Sequence, residues 1–254
     1  MSDKPVAKVM AAIPSYTGHV EFEFVESFVA TWAFAAVSGV EITMQMAPGF
    51  SLVQYARNWL TQQFLESDCT HILWIDADLG WEPQALLRML ARKVDVIGGV
   101  YPIKTVGEIY PYMPAGDPEN GVQMVEGLPT GFMLVSRRAM EAVAASVKWH
   151  DMTHMGKKIS CPNVFDLVHE GKNFWGEDFV FCKRLRNLGF SLWAELDIDF
   201  KHVGRKVWHG NLAKRIARGA SPSQDTPAND DQPPPSLEEA QKVLEQAFRV
   251  GSAA

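Results

Sequence analysis

Apolar positions along the first 145 residues recur at two different spacings. Short apolar runs predict strands, and longer stretches with apolar residues three and four apart predict helices. Strands are predicted over residues 6–13, 42–46, 72–75, 95–98 and 132–135, and helices over 22–37, 52–65, 83–92 and 137–145. This alternation predicts an α/β fold with a mostly parallel sheet and helices on both faces.

The pattern changes after residue 145. Residues 147–172 have no clear period and are expected to form a variable lobe over a cleft. The sequence Trp175-Gly176-Glu177-Asp178 then opens a predicted helix that ends near Gly189. Two closing strands are predicted over 191–196 and 199–203.

The C-terminal sequence has a different composition. Residues 219–235 are rich in proline and contain no large apolar side chain, which predicts a disordered linker. Beyond it, Ser236 and Glu239 have capping-box spacing, and an apolar stripe follows at Leu237, Val243, Leu244, Ala247 and Phe248. Because such a short helix is marginal alone, we expect it to dock on its own body or on a neighbouring subunit as a homo-oligomer. The predicted units are a domain over 1–218, a linker over 219–235 and an amphipathic helix over 236–254.

Composition and charge narrow the functional classes. The chain has 254 residues, of which 47% are hydrophobic, and a net charge of -6, which argues against general nucleic-acid binding. The three cysteines form no CxxC pair, so a reducing cytoplasm is favoured over a disulfide or zinc framework. The longest apolar stretch, 28–40, is too short to span a membrane. No GxGxxG or P-loop sequence is present.

Two aspartates follow the apolar strand HILWI at residues 71–75. On an extended segment, residues i and i+2 face the same way, so Asp76 and Asp78 can share one hard cation and leave coordination positions for a diphosphate. Ligands of open α/β sheets bind at the carboxyl ends of strands, which favours a metal site here. The structural alternative is that Asp76 caps a turn and Asp78 caps the next helix.

Four other segments carry side chains that could bind a ligand or take part in catalysis. In chain order they are Pro14-Ser15-Tyr16, Arg57-Asn58, Gly176-Glu177-Asp178 and His202-Val203-Gly204. With the Asp-Ala-Asp sequence, their order and spacing resemble those of the GT-A-type glycosyltransferases, particularly the family-two-like enzymes, over about residues 6–210. The resemblance implies a GT-A-like (Rossmann-like) fold. It also implies transfer of a sugar from a UDP- or GDP-linked donor to a carbohydrate or other hydroxyl acceptor.

The resemblance also implies roles in donor binding. Asp76 and Asp78 match the DxD motif, which binds the donor ribose and a divalent metal, Mn²⁺ or Mg²⁺. His202 matches a late metal ligand, although His209 competes with it for that role. The nucleotide base is expected beside Pro14, Ser15 and Tyr16.

A second set of roles concerns catalysis and the acceptor. Asp178 matches the general base of the inverting members, and Glu177 is the other candidate base; a retaining mechanism stays open. Trp175, with Gly176, offers an apolar platform for a sugar acceptor. The plain alternative for Asp178 is an acidic residue in the first turn of a helix.

Two basic residues are candidates for donor binding, and each has a structural alternative. Arg57 either pairs with the donor or Asp76, or is a surface helix residue. Lys206 belongs to a stretch over 201–218 without acidic residues, which is expected to close over the diphosphate, to be a solvated face or to contact anionic lipid.

The sequence leaves competing classes of function open. A sugar nucleotidyltransferase usually has a glycine-rich basic loop after its first strand, and residues 11–24 contain none. A catalytically silent sugar- or nucleotide-binding protein is the third class. His150 and His154 have the HxxxH spacing of zinc proteases, but Asp151 stands where that motif has Glu.

Overall fold

The structure is a computed structural model that describes residues 6–105 and 107–219. Its helices are α1 Phe22–Val37, α2 Val53–Glu66, α3 Ala85–Ala91, α4 Arg137–Ser146, α5 Glu177–Asn187 and α6 Leu212–Ala217. Its strands are β1 Ala7–Ser15, β2 Val40–Pro48, β3 His71–Ile75, β4 Leu79–Trp81, β5 Val96–Gly99, β6 Met113–Pro114, β7 Val122–Gly127, β8 Phe132–Ser136, β9 Trp149–His154, β10 Lys157–Pro162, β11 Val168–Glu170, β12 Asn173–Trp175, β13 Leu192–Glu195, β14 Phe200–Val203 and β15 Val207–Gly210. Every helix and strand predicted within the described residues is present, with ends that differ by at most two residues.

The central sheet has eight strands in the order β2-β1-β3-β8-β5-β13-β7-β6. Strand β1 runs parallel to β2 and β3, but β8 runs antiparallel to both β3 and β5. The prediction of a mostly parallel sheet was therefore wrong for its second half, which is mixed. A parallel neighbour needs a long crossover, usually a helix, whereas the described residues between β5 and β8 contain only the short strands β6 and β7.

Both faces of this sheet are buried. Along β1, Val9 and Ala11 belong to one apolar cluster, and Met10 and Ala12 belong to the other. Helix α1 packs on the first cluster through Phe24, and α2 packs on the second. This two-sided burial explains why the strands read as continuous apolar runs.

A second, three-stranded sheet borders the candidate site. Residues 79–81, which come shortly before the helix predicted over 83–92, form β4, which pairs with β14, and α3 begins at Ala85. The register places Leu79 opposite His202. This pairing therefore brings β14 to the residues that follow β3.

The lobe over 147–172 is more regular than its sequence suggested. Strands β9 and β10 form an antiparallel hairpin against α2, and β11 pairs with β12 immediately before α5. The predicted linker beyond Gly219 and the predicted C-terminal helix lie outside the described residues. Among the residues that are described, no helix is long and apolar enough to cross a membrane.

Candidate functional site

The candidate site begins in the turn that follows β3. Asp76 and Asp78 lie in this turn rather than on an extended strand. The Asp76 N–H donates to the Gly131 carbonyl at 2.9 Å, and the Leu79 N–H donates to the Asp76 carbonyl at 3.3 Å. Asp78 does not cap a helix, because α3 starts seven residues later at Ala85.

A cavity of about 590 Å³ opens at this turn. It lies at the carboxyl ends of β1 and β3, where an open α/β sheet normally binds its ligand. Its lining includes eight of the residues predicted from sequence: Pro14, Ser15, Tyr16, Arg57, Asp76, Asp78, Glu177 and Asp178. Segments more than 100 residues apart along the chain are thus brought to one concave surface.

Arg57 is the centre of the polar network in this cavity. Its side chain is only 4% exposed, and it extends from α2 towards three carboxylates. Its Nη1 donates to Glu177 at 2.7 Å and to Asp178 at 2.6 Å, and its Nη2 donates to Asp76 at 3.1 Å. Of the alternatives for Arg57, the structure shows the ion pair with Asp76 and not a surface position. Its Nη1 and Nη2 atoms bind the protein's own carboxylates.

The crowding of acids around Arg57 changes their proton affinities. Burial, reinforced by the charges of Asp178 and Asp78, raises the pKa of Asp76 even though Arg57 opposes the shift. Burial and the neighbouring Asp178 also raise the pKa of Glu177. For Arg57, burial lowers the pKa but the three carboxylates raise it by more, so the guanidinium stays charged.

Asp178 accepts hydrogen bonds from the described residues through only one of its two carboxylate oxygens. It lies in the first turn of α5, whose N-cap is Gly176, within the helix start that the sequence predicted over residues 175–178. Arg57 and the Thr130 hydroxyl both donate to its Oδ1. Within the described residues Oδ2 accepts no hydrogen bond, so this oxygen of a cavity-lining carboxylate is available to a ligand hydroxyl.

Asp78 and His202 form the part of the site that best suits a divalent cation. His202 Nε2 lies 3.7 Å from Asp78 Oδ1, while His202 Nδ1 lies 2.8 Å from the Pro102 carbonyl oxygen. Because a carbonyl only accepts, Nδ1 carries a proton, and Nε2 is the ring nitrogen that could coordinate a cation beside Asp78. A carboxylate and an oriented imidazole are suitable ligands for Mn²⁺.

The donor set is nevertheless small. Within residues 6–105 and 107–219, no group of three or more His, Cys, Asp or Glu side chains is arranged to hold a metal ion. Asp76 is engaged by Arg57, and its Oδ2 accepts a hydrogen bond from Tyr101 at 3.2 Å. A cation between Asp78 and His202 would therefore need ligand oxygens or water to complete its coordination.

Several predicted residues lie outside the cavity lining. Lys206 is exposed, with its Nζ 5.2 Å from the centroid of the Trp208 ring. His209 is exposed and lines a different cavity, so His202 is the histidine beside Asp78. Trp175 and Gly176 immediately precede α5, and the buried Trp175 Nε1 has no partner among the described residues.

Three contacts of the network were missed from the sequence: those made by Tyr101, Thr130 and Lys104. Tyr101 donates to Asp76, Thr130 donates to Asp178, and the Lys104 ammonium pairs with Asp78. All three lie in the Gly- and Pro-rich region between residues 98 and 131, which lacks helical or strand periodicity. The one usable signal was Gly131, since a Cβ there would overlap Tyr101 and Asp76.

Comparison with known proteins supports the fold. No protein-family model and no curated protein matches the chain. Among solved structures, A197 from STIV superposes with a TM-score of 0.51 at 17% identity, over 82% of this chain and 91% of that one. This likeness indicates a shared fold and carries no assignment of activity.

Two further solved structures show weaker likenesses. One is a glycosyltransferase involved in the glycosylation of the major capsid of PBCV-1, with a TM-score of 0.33 and 13% identity over 53% of this chain and 62% of that one. The other is a UDP-glucose pyrophosphorylase complexed with UDP-glucose, with a TM-score of 0.38 and 11% identity over 80% of this chain and 74% of that one. Both TM-scores are too low to establish a shared fold.

Proposed function

We propose that this chain is a metal-dependent glycosyltransferase that moves a sugar from a nucleoside diphosphate donor to a hydroxyl acceptor. The observation that carries the proposal is the convergence of Pro14-Ser15-Tyr16, Asp76, Asp78 and Asp178 on one cavity at the carboxyl edge of the sheet. These are the segments in which the sequence resembles GT-A-type enzymes. Their meeting is what that resemblance requires.

Asp178 is proposed as the general base. The acceptor oxygen attacks the anomeric carbon of the donor sugar, and the bond from that carbon to the diphosphate oxygen breaks with its electron pair leaving on the diphosphate. The acceptor proton passes to Asp178 Oδ2, which is free of other described partners. Arg57 and Thr130 hold the carboxylate in place through hydrogen bonds to Oδ1.

Asp78 and His202 are proposed to hold the divalent cation. When bound, Mn²⁺ or Mg²⁺ would neutralise charge on the departing diphosphate without a proton donor. The cavity lining is strongly acidic, with five carboxylates against the single arginine: Glu21, Asp76, Asp78, Glu177 and Asp178. A diphosphate would be repelled from this surface in the absence of a compensating cation.

Two groups of aromatic and neighbouring residues are proposed to contact the nucleotide base and the acceptor. Tyr16 is 69% exposed at the rim and offers an aromatic face to a uracil or guanine base. Trp175 and Gly176 lie outside the cavity lining but lead directly into Glu177 and Asp178, and they are proposed to border the acceptor. The acceptor would then approach the base directly.

The test is a screen of UDP- and GDP-sugars for hydrolysis in the presence of Mn²⁺ or Mg²⁺. Sugar release that requires the metal with one donor supports the proposal, because most transferases hydrolyse their donor slowly when no acceptor is present. Parallel reactions should contain a nucleoside triphosphate and a sugar 1-phosphate. Release of pyrophosphate there, without donor hydrolysis, would replace the transferase with a nucleotidyltransferase.

A further inference from the structure

Lys104 is placed against the candidate metal site by an unusually well-held loop. The loop follows β5, and it is fixed at two points by the β14–β15 hairpin. His202 Nδ1 lies 2.8 Å from the Pro102 oxygen, and Trp208 Nε1 donates to the Thr105 oxygen at 2.7 Å. Lys104 lies between these two attachment points, so its position does not depend on its side chain alone.

The side chain of Lys104 completes this placement. Its stem passes over Gly204, where an added Cβ would lie 3.1 Å from the Lys104 Cδ. Its ammonium pairs with Asp78 Oδ2, while the other oxygen of Asp78 faces His202 Nε2 at 3.7 Å. The carboxylate of Asp78 therefore has an ammonium on one oxygen and an imidazole near the other.

Lys104 and a divalent cation would compete for Asp78. The two positive charges would repel each other if both lay against one carboxylate. The lysine stem has four methylenes and the side chain is 31% exposed, so the ammonium can move while its backbone stays fixed. The nearest anion to receive it would be a diphosphate bound at the same cation.

Building on the proposed function, we propose that Lys104 is an internal counter-ion of Asp78 that transfers to the donor diphosphate when a divalent cation binds Asp78 and His202. In the free protein the ammonium neutralises Asp78. In the loaded protein it contacts a phosphate oxygen. The Nη1 and Nη2 atoms of Arg57, by contrast, already donate to the protein's own carboxylates, those of Asp76, Glu177 and Asp178.

The proposal makes two predictions of opposite sign for Lys104→Met, which keeps the length of the stem and removes its charge. In the absence of nucleotide, Mn²⁺ should bind about 3- to 10-fold more tightly, since its competitor for a partly exposed carboxylate is gone. At saturating Mn²⁺, UDP or GDP should bind roughly 10-fold more weakly, since one charge-assisted contact is lost. Calorimetric titration measures both affinities.

Two further variants make the test specific. Lys201→Met removes the same charge from the neighbour of His202, on an exposed side chain of β14, and should change neither affinity by more than about 2-fold, the size of a surface charge effect. Lys104→Arg keeps the charge and should restore both affinities towards wild type. A cooperative melting transition in each variant shows that it is folded.

The outcomes separate this inference from the proposed function. Unchanged Mn²⁺ affinity in Lys104→Met, or equal changes in Lys201→Met, would overturn the counter-ion role, as would a wild-type protein that binds no Mn²⁺. Tighter Mn²⁺ binding combined with unchanged UDP and GDP affinities would overturn the transfer to phosphate. Failure of every nucleotide sugar to turn over, with both affinity changes present, would refute the transferase activity and leave the ion exchange standing.

Discussion

Arg57 Nη1 lies 2.6 Å from Asp178 Oδ1, although 121 residues separate the two in sequence. The arginine is almost fully buried on α2, and the aspartate belongs to the first turn of α5. This ion pair holds one oxygen of Asp178, and the other oxygen accepts no hydrogen bond from the described residues. Arg57 therefore acts as a positioning residue for the proposed base.

Asp178→Asn is the direct test of that base. Asparagine keeps the size of the side chain and an oxygen for Arg57 and Thr130, but it cannot take a proton at neutral pH. Transfer to the acceptor should fall roughly 10²-fold or more, the usual contribution of general base catalysis. Donor affinity and Mn²⁺ affinity should stay near wild type, because Asp78 and His202 are unchanged.

Glu177→Gln is the matched control for this experiment. Glu177 is the other carboxylate bonded to Arg57 Nη1. Its substitution therefore shows the effect of losing a negative charge beside Arg57 while the proposed base, Asp178, is kept. If Asp178→Asn folds normally and retains its turnover while Glu177→Gln loses it, the base is Glu177. If neither variant loses turnover, an inverting mechanism through this pair is excluded.

The raised pKa of Glu177 predicts a pH dependence of stability. Burial first, and then the charge of Asp178, disfavour the ionised carboxylate in the folded protein. The folded state then binds more protons than the unfolded state, so this group's contribution to stability falls as pH rises from the ordinary glutamate pKa through the raised one. Relative to wild type, Glu177→Gln should therefore gain stability as pH is raised from about 4 to 7.

Urea unfolding at several pH values measures this difference. The comparison should use the midpoint and slope of each transition, because a changed slope would indicate a different unfolded state. A variant that instead lost stability relative to wild type with rising pH would show that Arg57 holds Glu177 ionised. The direction of the pKa shift would then be reversed.

The sequence was sufficient to identify which segments meet at the site. Strand ends in an α/β sheet collect at one edge, so the residues after β1 and β3 were expected to lie together, and they do. The hydrogen bonds of Tyr101 and Thr130 were not predictable in the same way. They depend on where the aperiodic chain between β5 and β8 returns to the sheet, and local patterning does not encode that path.

The direction of β8 in the sheet and the ion pairs of Arg57 could not be predicted from the sequence either. The run of strands and helices is the same whether β8 enters parallel or antiparallel, so the pattern could not reveal the mixed sheet. Arg57 offered two equal alternatives in sequence, and only its depth decides between them. A guanidinium that is 4% exposed needs anions within the fold, and the three half-buried carboxylates are those anions.

Removal of the divalent cation should weaken nucleotide binding. The cavity contains a cluster of carboxylates, and a diphosphate adds further negative charge to it. UDP or GDP should bind at least about 10-fold more tightly with Mn²⁺ than with a chelator, and Asp78→Asn should remove most of that gain. Equal affinities with and without chelator, for both nucleotides, would refute the role of Asp78 in a metal bridge.

Deletion of residues 220–254 should leave the catalytic body folded. Among the described residues, both apolar clusters are built from side chains between β1 and α6, and the cluster that contains Met10 and Ala12 also includes the buried Leu212 of α6. The truncated protein should therefore keep a cooperative thermal transition, while its state of association reports any role of the tail in a homo-oligomer. Loss of cooperative melting would show that the domain boundary at residue 218 is misplaced.

Gly131→Ala should disturb the site by steric overlap with neighbouring side chains rather than by backbone strain. Any Cβ at this position would overlap the Tyr101 hydroxyl and the Asp76 carboxylate, which are bonded to each other. Overpacking of this kind costs about 1–3 kcal/mol of stability. Displacement of Asp76 should also reduce turnover of the nucleotide sugar, by roughly 10²-fold for a shift near 1 Å.

Two controls isolate the cause of that loss. Gly116→Ala adds a methyl group whose nearest described neighbour, Met124 Cε, is 4.0 Å away, so urea unfolding should show little change. In the double variant Gly131→Ala with Tyr101→Phe, the hydroxyl that takes part in the overlap is gone. Part of the lost stability should then return. The contrary outcome is a double variant that loses more unfolding free energy than the two single variants lose together. In that case the contact between residue 131 and Tyr101 is not the source of the cost, and the close approach to Tyr101 and Asp76 does not explain why residue 131 is glycine.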